Sequence, residues 1–184
     1  MVNFMKTANR AVALSIISVV FLLTQFASTL ARAQTQSLDE LFVELKTAGP
    51  EEWEPLEKKI WAQWSKSGSK AMDLLLERGR AEMEKGNVVD AINHFSALID
   101  HAPEFAEGWN ARATAFFVAE RYGLSIADIR ETLALEPRHF GALSGLGMIY
   151  ERLDRPKDAM RAFEAALAVH PHRPDALAAV ARLK

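Results

Sequence analysis

The chain has no cysteine in its 184 residues, which excludes a disulfide framework, a thiolate metal site, a cysteine nucleophile and the acylated cysteine of a lipoprotein. It also lacks an excess of charge of either sign. With 22 Lys and Arg against 24 Asp and Glu, the formal net charge is −2, so no basic stripe stands ready to neutralise a phosphate backbone and nucleic acid is not expected as a partner. The motifs of catalysis are missing as well. There is no glycine-rich phosphate loop and no paired-histidine motif of a zinc hydrolase, and Gly141-Ala142-Leu143-Ser144-Gly145 misplaces the glycine that a nucleophile elbow requires. What the chain does have, 49% hydrophobic and 25% charged residues, is the balance of a folded globular protein and excludes wholesale disorder.

The chain opens with a leader. Residues 1–10 contain Lys6 and Arg10 and no acid, residues 11–23 are an apolar run, and Ala31-Arg32-Ala33 has the small-x-small form of a cleavage site. Residues 1–33 are therefore expected to be a signal peptide cut after Ala33, placing the mature chain in a periplasm. The alternative is an uncleaved inner-membrane anchor, because residues 11–30 approach the length that spans a bilayer, although Thr24 and Gln25 shorten the strongly apolar part. Cleavage removes Lys6, Arg10 and Arg32 and no acidic residue, leaving a mildly acidic product.

Beyond the leader, self-similarity is the strongest signal. Pro103, Pro137 and Pro171 stand 34 residues apart, each after an apolar helical pattern that it terminates. The same shift superimposes small residues, Gly79 on Ala113 on Gly147 and Ala91 on Ser125 on Ala159. It also superimposes large apolar ones: Leu75, Trp109 and Leu143; Phe95, Ile129 and Phe163; Ile99, Leu133 and Leu167. Residues 71–85, 106–119 and 140–153 read as first helices, and 88–101, 124–135 and 156–169 as second helices. Gly86-Asn87 and Tyr122-Gly123 mark the first two turns between them. In the third, Asp154 is positioned to cap the next helix, with Pro156 in its first turn.

This period, with its terminal proline and its order of large, small, small, aromatic and proline, resembles the tetratricopeptide repeat over residues 72–105, 106–139 and 140–173. The resemblance implies an all-α solenoid of antiparallel helix pairs wound into a right-handed superhelix. One departure is visible. The bulky aromatic late in the first helix is Phe116 and Tyr150 in the later units but Glu82 in the first, where Met83 stands beside it to take over the packing.

Residues 34–70 form an N-terminal helical hairpin and linker. Leu38, Leu41, Phe42 and Leu45 recur at helical spacing, as do Trp53, Leu56, Ile60 and Trp64, with Trp61 alongside. The pair reads as a degenerate repeat or cap. Its tryptophans either pack against the first repeat, which the helical spacing favours, or form a partner-binding surface. Residues 174–184 are expected to be the capping helix that such arrays require.

In the family the first helices line a concave groove that accepts an extended peptide or a helix. Matched residue by residue, the resemblance puts Arg80, Met83, Asn110, Thr114, Phe117, Ser144, Met148 and Glu151 on that surface, with Phe117 and Met148 either exposed there or turned into helix packing. A subclass grips a terminal carboxylate with lysines, asparagines and arginine. Its positions here hold Leu76, Arg80, Ala111, Gly141 and Gly145, of which only Arg80 is suited, so chaperone-tail recognition is not supported. His101, His139, His170 and His172 fall near the turns between units. They are expected to be solvated turn or capping residues, since spacing shows no carboxylate to support a metal or pH-responsive pair. The expectation is a cell-envelope adaptor with no catalytic residue, cofactor, metal or small-molecule substrate, binding a protein or peptide and meeting a membrane only if the leader is retained. A membrane-anchored structural subunit is the alternative, and a hydrolytic or metal-dependent enzyme using the turn histidines is the least supported.

Overall fold

A computed structural model describes residues 36–184; the leader, with its cleavage or anchoring, lies outside the described residues. Leu38–Lys184 forms one unit, in which every regular element is an α-helix: α1 Leu38–Thr47, α2 Trp53–Trp64, α3 Lys70–Glu84, α4 Val88–His101, α5 Ala106–Val118, α6 Tyr122–Leu135, α7 Phe140–Arg152, α8 Pro156–Val169 and α9 Pro174–Leu183. None of these is long and apolar enough to cross a membrane. Helices α3 and α4, α5 and α6, and α7 and α8 pack as successive pairs, and the first helices α3, α5 and α7 adjoin one another.

The turn inside each pair is the same device three times. Gly86, Glu120 and Asp154, one period apart, all take positive φ, +80°, 57° and 53°. At each, the left-handed residue donates its N–H to the carbonyl three residues back: Gly86 to Met83 (3.0 Å), Glu120 to Phe117 (2.9 Å), Asp154 to Glu151 (3.1 Å). The following residue donates to the carbonyl five back: Asn87 to Glu82 (2.9 Å), Arg121 to Phe116 (2.8 Å), Arg155 to Tyr150 (2.8 Å). This is the Schellman closure, which satisfies the orphan carbonyls of a helix end. It corrects two details. Tyr122-Gly123 is the first turn of α6, not the loop, because the chain has already reversed at Glu120. Asp154 does not cap α8; its backbone makes the left-handed turn, and Arg155 is the N-cap residue.

The superimposed small residues sit where helices touch. A Cβ built on Gly79 would stand 2.2 Å from the Phe95 ring, and one on Gly147 2.7 Å from the Phe163 ring; both rings are buried. In the middle pair Ala113 faces Ile129 in one cluster, and the buried Ser125 hydroxyl donates to the Ala113 carbonyl at 2.7 Å. Pairs are also joined by charge. Arg112 of α5 forms a two-pronged ion pair with Asp128 of α6 (2.7 and 2.9 Å) and reaches Ser96 of α4 at 3.2 Å.

The N-terminal end of the array differs from expectation in where it docks, and the C-terminal helix stands where it is expected. The hairpin α1–α2 does pack as core, but not on the first repeat. Its cluster of Leu41, Phe42, Leu45, Leu56, Ile60 and Trp64 closes over Phe140 and Val169, on the turns that flank the third pair. The reason is chemical, since Phe140 and the rings of His139 and His170 offer aromatic partners there to Trp53, Trp61 and Trp64. Helix α9 occupies the expected residues after the third pair. It packs on α8 and stands one period after α7, with Ala176 and Ala179 buried against Phe163 and Ala166, in the place of a further first helix.

Candidate functional site

The surface built by the first helices carries a cleft of about 350 Å³, open to solvent, between α5, α6 and α7. Asn110, Thr114, Phe117, Gly141, Gly145 and Met148 line it, over a floor of Ala113, Ile129 and Ala142. A second hollow of about 790 Å³ shares Phe117 and Met148 and runs on past Glu151 and Arg152 to Asp175, Ala178 and Arg182 of α9. The two form one trough across α5, α7 and α9. Its centre is apolar, with Met148 38% exposed and Phe117 half-buried against Tyr122, ring centroids 5.8 Å apart. Its far rim is charged, where Glu151 accepts a hydrogen bond from Arg182 at 2.7 Å.

Of the eight residues matched to the groove, five line this trough: Asn110, Thr114, Phe117, Met148 and Glu151. The other three do not. Ser144 is 1% exposed; it follows Phe140 by one turn on the same helix face, and that face is buried. Met83 packs into the cluster of Leu76, Ala91 and Phe95, filling in for the aromatic that Glu82 replaces. Arg80 spends its guanidinium on Glu107 Oε1 and on Ser65 Oγ (3.1 Å). Sequence reasoning missed Gly141 and Gly145, which it noted only as unsuited to a nucleophile elbow or a carboxylate clamp, and also Asp175 and Arg182. The period already held the second pair, because Arg182 stands one repeat after Met148.

Beside the trough lies a buried polar network. Glu107, 3% exposed, accepts from Arg80, from Asn110 Nδ2 (3.0 Å) and from His139 Nε2 (3.0 Å). The His139 Nδ1 accepts the Ala142 N–H at 3.1 Å, capping α7, so the imidazole is the Nε2–H tautomer and both nitrogens are engaged. Its ring stacks on Trp64, centroids 4.1 Å apart and 9° from parallel. Farther along, Glu57 of α2 accepts from Trp61 Nε1 (3.0 Å) and Arg173 (2.8 Å) and meets His170 Nε2 at 3.3 Å. Burial pushes the Glu57 carboxyl upward, but the hydrogen bonds from His170 and Trp61 and the Arg173 charge outweigh it and hold the group below its ordinary value of 4.5.

His139 and His170 are thus not solvated turn residues: each is 0% exposed and each has a carboxylate partner. Spacing could not reveal those partners, which lie 32 and 113 residues away. His172 donates to the Ala48 carbonyl at 2.7 Å, and His101 is exposed. Among the described residues no group of three or more His, Asp or Glu side chains is arranged to hold a metal ion. The Glu107–His139 pair has the composition of an acid–base dyad, but both members are buried and both ring nitrogens are already engaged. Its chemistry is hydrogen bonding within the fold.

The comparisons with known proteins agree with this architecture. Family models for the tetratricopeptide repeat match residues 76–137 and 140–183, the second taking in α9. A TPR repeat-containing protein of Rhizobium etli is 35% identical over 137 residues, 74% of this chain and 67% of that protein. A BBSome complex member BBS4 homolog of Drosophila melanogaster is 27% identical over 93 residues, half of this chain (50%) but only 19% of its own length. Among solved structures, the Arabidopsis OM64 TPR domain superimposes with a TM-score of 0.60 at 24% identity, covering 62% of this chain and 95% of that one. The first TPR domain of Spaghetti (RPAP3), solved with an HSP90 peptide, gives 0.59 at 21%, covering 61% and 89%. With the 34-residue period, the packed glycines and the helix pairs all in register, the chain belongs to the tetratricopeptide-repeat family.

Proposed function

We propose that the chain is a non-catalytic protein-interaction module of the cell envelope, taking a peptide segment or helix of a partner protein along the trough of α5, α7 and α9. The observation that carries this is the continuity of the trough. Exposed Met148 and half-buried Phe117 form an apolar centre shared by both hollows, with an amide at one end and charges at the other. Such a surface suits a segment that presents a large apolar side chain to the middle and polar groups to the ends. TPR domains solved with HSP90 and HSP70 peptides lend weight to binding of this kind. The ligand class differs here, because Arg80 is already committed to Glu107 and the remaining clamp positions carry no cation. The envelope location rests on the leader in the sequence.

The test is capture by the full chain from an envelope extract, compared with an Asn110→Ala, Phe117→Ala double variant and a Met148→Glu variant. Loss of the same captured protein from both is the expected outcome; equal capture by all three would sink the trough as the binding surface. Cell fractionation with N-terminal sequencing separates the two fates of the leader, a mature chain starting at Gln34 against a full-length chain in the membrane fraction.

A further inference from the structure

We infer that the α1–α2 hairpin is a clasp: it bridges the turns on either side of the third helix pair and thereby sets the seating of that pair against the second and the opening of the trough. It grips two turns, residues 138–140 and 169–173. The linker that leads from it to α3 is tied down separately, where Arg80 of α3 donates to Ser65. At the turn between the second and third pairs, Trp64 stacks on His139, while Arg138 lies over the Phe42 ring at 4.4 Å and pairs with Asp39 at 2.6 Å. There too Phe140 packs against Phe42, Trp61 and Trp64, and at the turn after the third pair Glu57 holds His170 and Arg173.

In a solenoid each unit touches only its neighbours, so the angle between the first and third pairs is the sum of two interface angles, and small rotations accumulate. A strap fixed to the turns on both sides of the third pair limits that freedom at the last joint. This strap is itself stiff, with Leu41, Leu45 and Ile60 fully buried inside it.

Two connections carry its position to the trough. The Trp61 ring lies 2.8 Å from where a Cβ on Gly141 would stand, and Gly141 lines the cleft, so the edge of α7 is set against Trp61. From α5, Asn110 bonds Glu107, Glu107 bonds His139, and His139 stacks on Trp64. A carboxylate only accepts, so Asn110 must present its amide nitrogen to Glu107, which fixes which way that trough side chain is turned. Both walls of the cleft are thus referenced to one hairpin that does not line it. Undocking frees α5 and α7 to rotate apart and releases Asn110. The consequence for a partner rests on the trough being the binding surface; the clasp itself does not.

The test uses the full chain, whose lack of cysteine lets labels be placed at will. Spin labels at Arg78→Cys on α3 and Ala181→Cys on α9, both exposed positions, report the span of the array by pulsed EPR. Hydrogen exchange of the α1 and α2 amides reports docking. In a Glu57→Gln, Trp64→Ala double variant those amides are expected to lose protection roughly ten-fold or more, and the distance distribution to broaden roughly two-fold. Glu57→Gln alone should fall between, and Trp64→Phe close to the parent. An unchanged distance distribution beside a freely exchanging hairpin overturns the clasp. So does a hairpin still protected in the double variant, since the named contacts then do not hold it. If the double variant loses its helical circular dichroism, Glu57→Gln decides, because it keeps every apolar contact; there, protection and distances equal to the parent's overturn the proposal. Capture experiments on trough variants leave these readouts untouched, so the two readings fail separately.

Discussion

Ser144 shows how a residue can be placed on the right helix and still be misassigned. The family register puts it on the groove, yet its side chain is buried and its hydroxyl has no hydrogen-bond partner among the described residues. An unpaired buried hydroxyl carries a desolvation cost with nothing to offset it. Ser144→Ala is therefore expected to be neutral or to stabilise the protein by up to about 1 kcal/mol, read as an equal or higher midpoint in chemical denaturation; a clear loss of stability would mean the hydroxyl has a partner after all. The other residue-scale surprises share one cause. His139 and His170 read as surface groups because each has a polar side chain near a helix end, and each is buried against a carboxylate that the sequence places far away, while Arg80 stays partly exposed but commits its charge to the buried Glu107. Local pattern reports polarity and spacing. It does not report which distant side chain will satisfy a buried charge.

At the scale of helices, much more was legible. The 34-residue period placed the three pairs within a few residues of their observed ends, and its small positions proved to be the contacts that admit Phe95 and Phe163. The turns inside the pairs were harder to read, because only the first announces itself with a glycine. Glu120 and Asp154 adopt the same left-handed backbone as Gly86 without that residue's freedom. For an L-residue this conformation costs about 1–2 kcal/mol, partly returned by a less flexible unfolded chain, about 0.4–1 kcal/mol. Glu120→Gly should thus raise stability by roughly 0.5–1 kcal/mol, seen as a higher thermal midpoint with unchanged helicity. A lower midpoint would show that the Glu120 side chain contributes something its exposed position does not suggest. The hairpin helices were also legible as helices, but their docking site was not, since it depends on aromatic partners that only the third pair presents.

For the molecule as a whole, the hairpin–array joint is where pH should act. The docked hairpin holds the Glu57 carboxyl below its ordinary value of 4.5, against burial, through His170, Trp61 and Arg173. The released hairpin therefore binds the proton more readily. Docking keeps its full strength above about pH 4.5 and weakens as the pH falls through the lower docked value. Tryptophan fluorescence followed during acid titration should report release before the far-ultraviolet helical signal is lost. The Glu57→Gln variant should have no such step; if the titration of that variant matches the parent's, the carboxylate is not the responsible group.

The same joint imposes an order on folding. Helix pairs in an array form from contacts close in sequence, which is fast, whereas the bonds that seat the hairpin link residues 99, 113, 116 and 124 positions apart. Closing loops of that length comes late, because their entropy is lost before any contact rewards it. During synthesis the hairpin emerges first, yet its seat is the last pair to be made. Until then it must wait with Phe42 and Trp64 uncovered, the stage at which the chain is most exposed to aggregation or to a chaperone. Refolding should accordingly show a rapid helical phase followed by a slower change in tryptophan emission as Trp64 reaches His139. Simultaneous phases would mean that the hairpin and its seat assemble together.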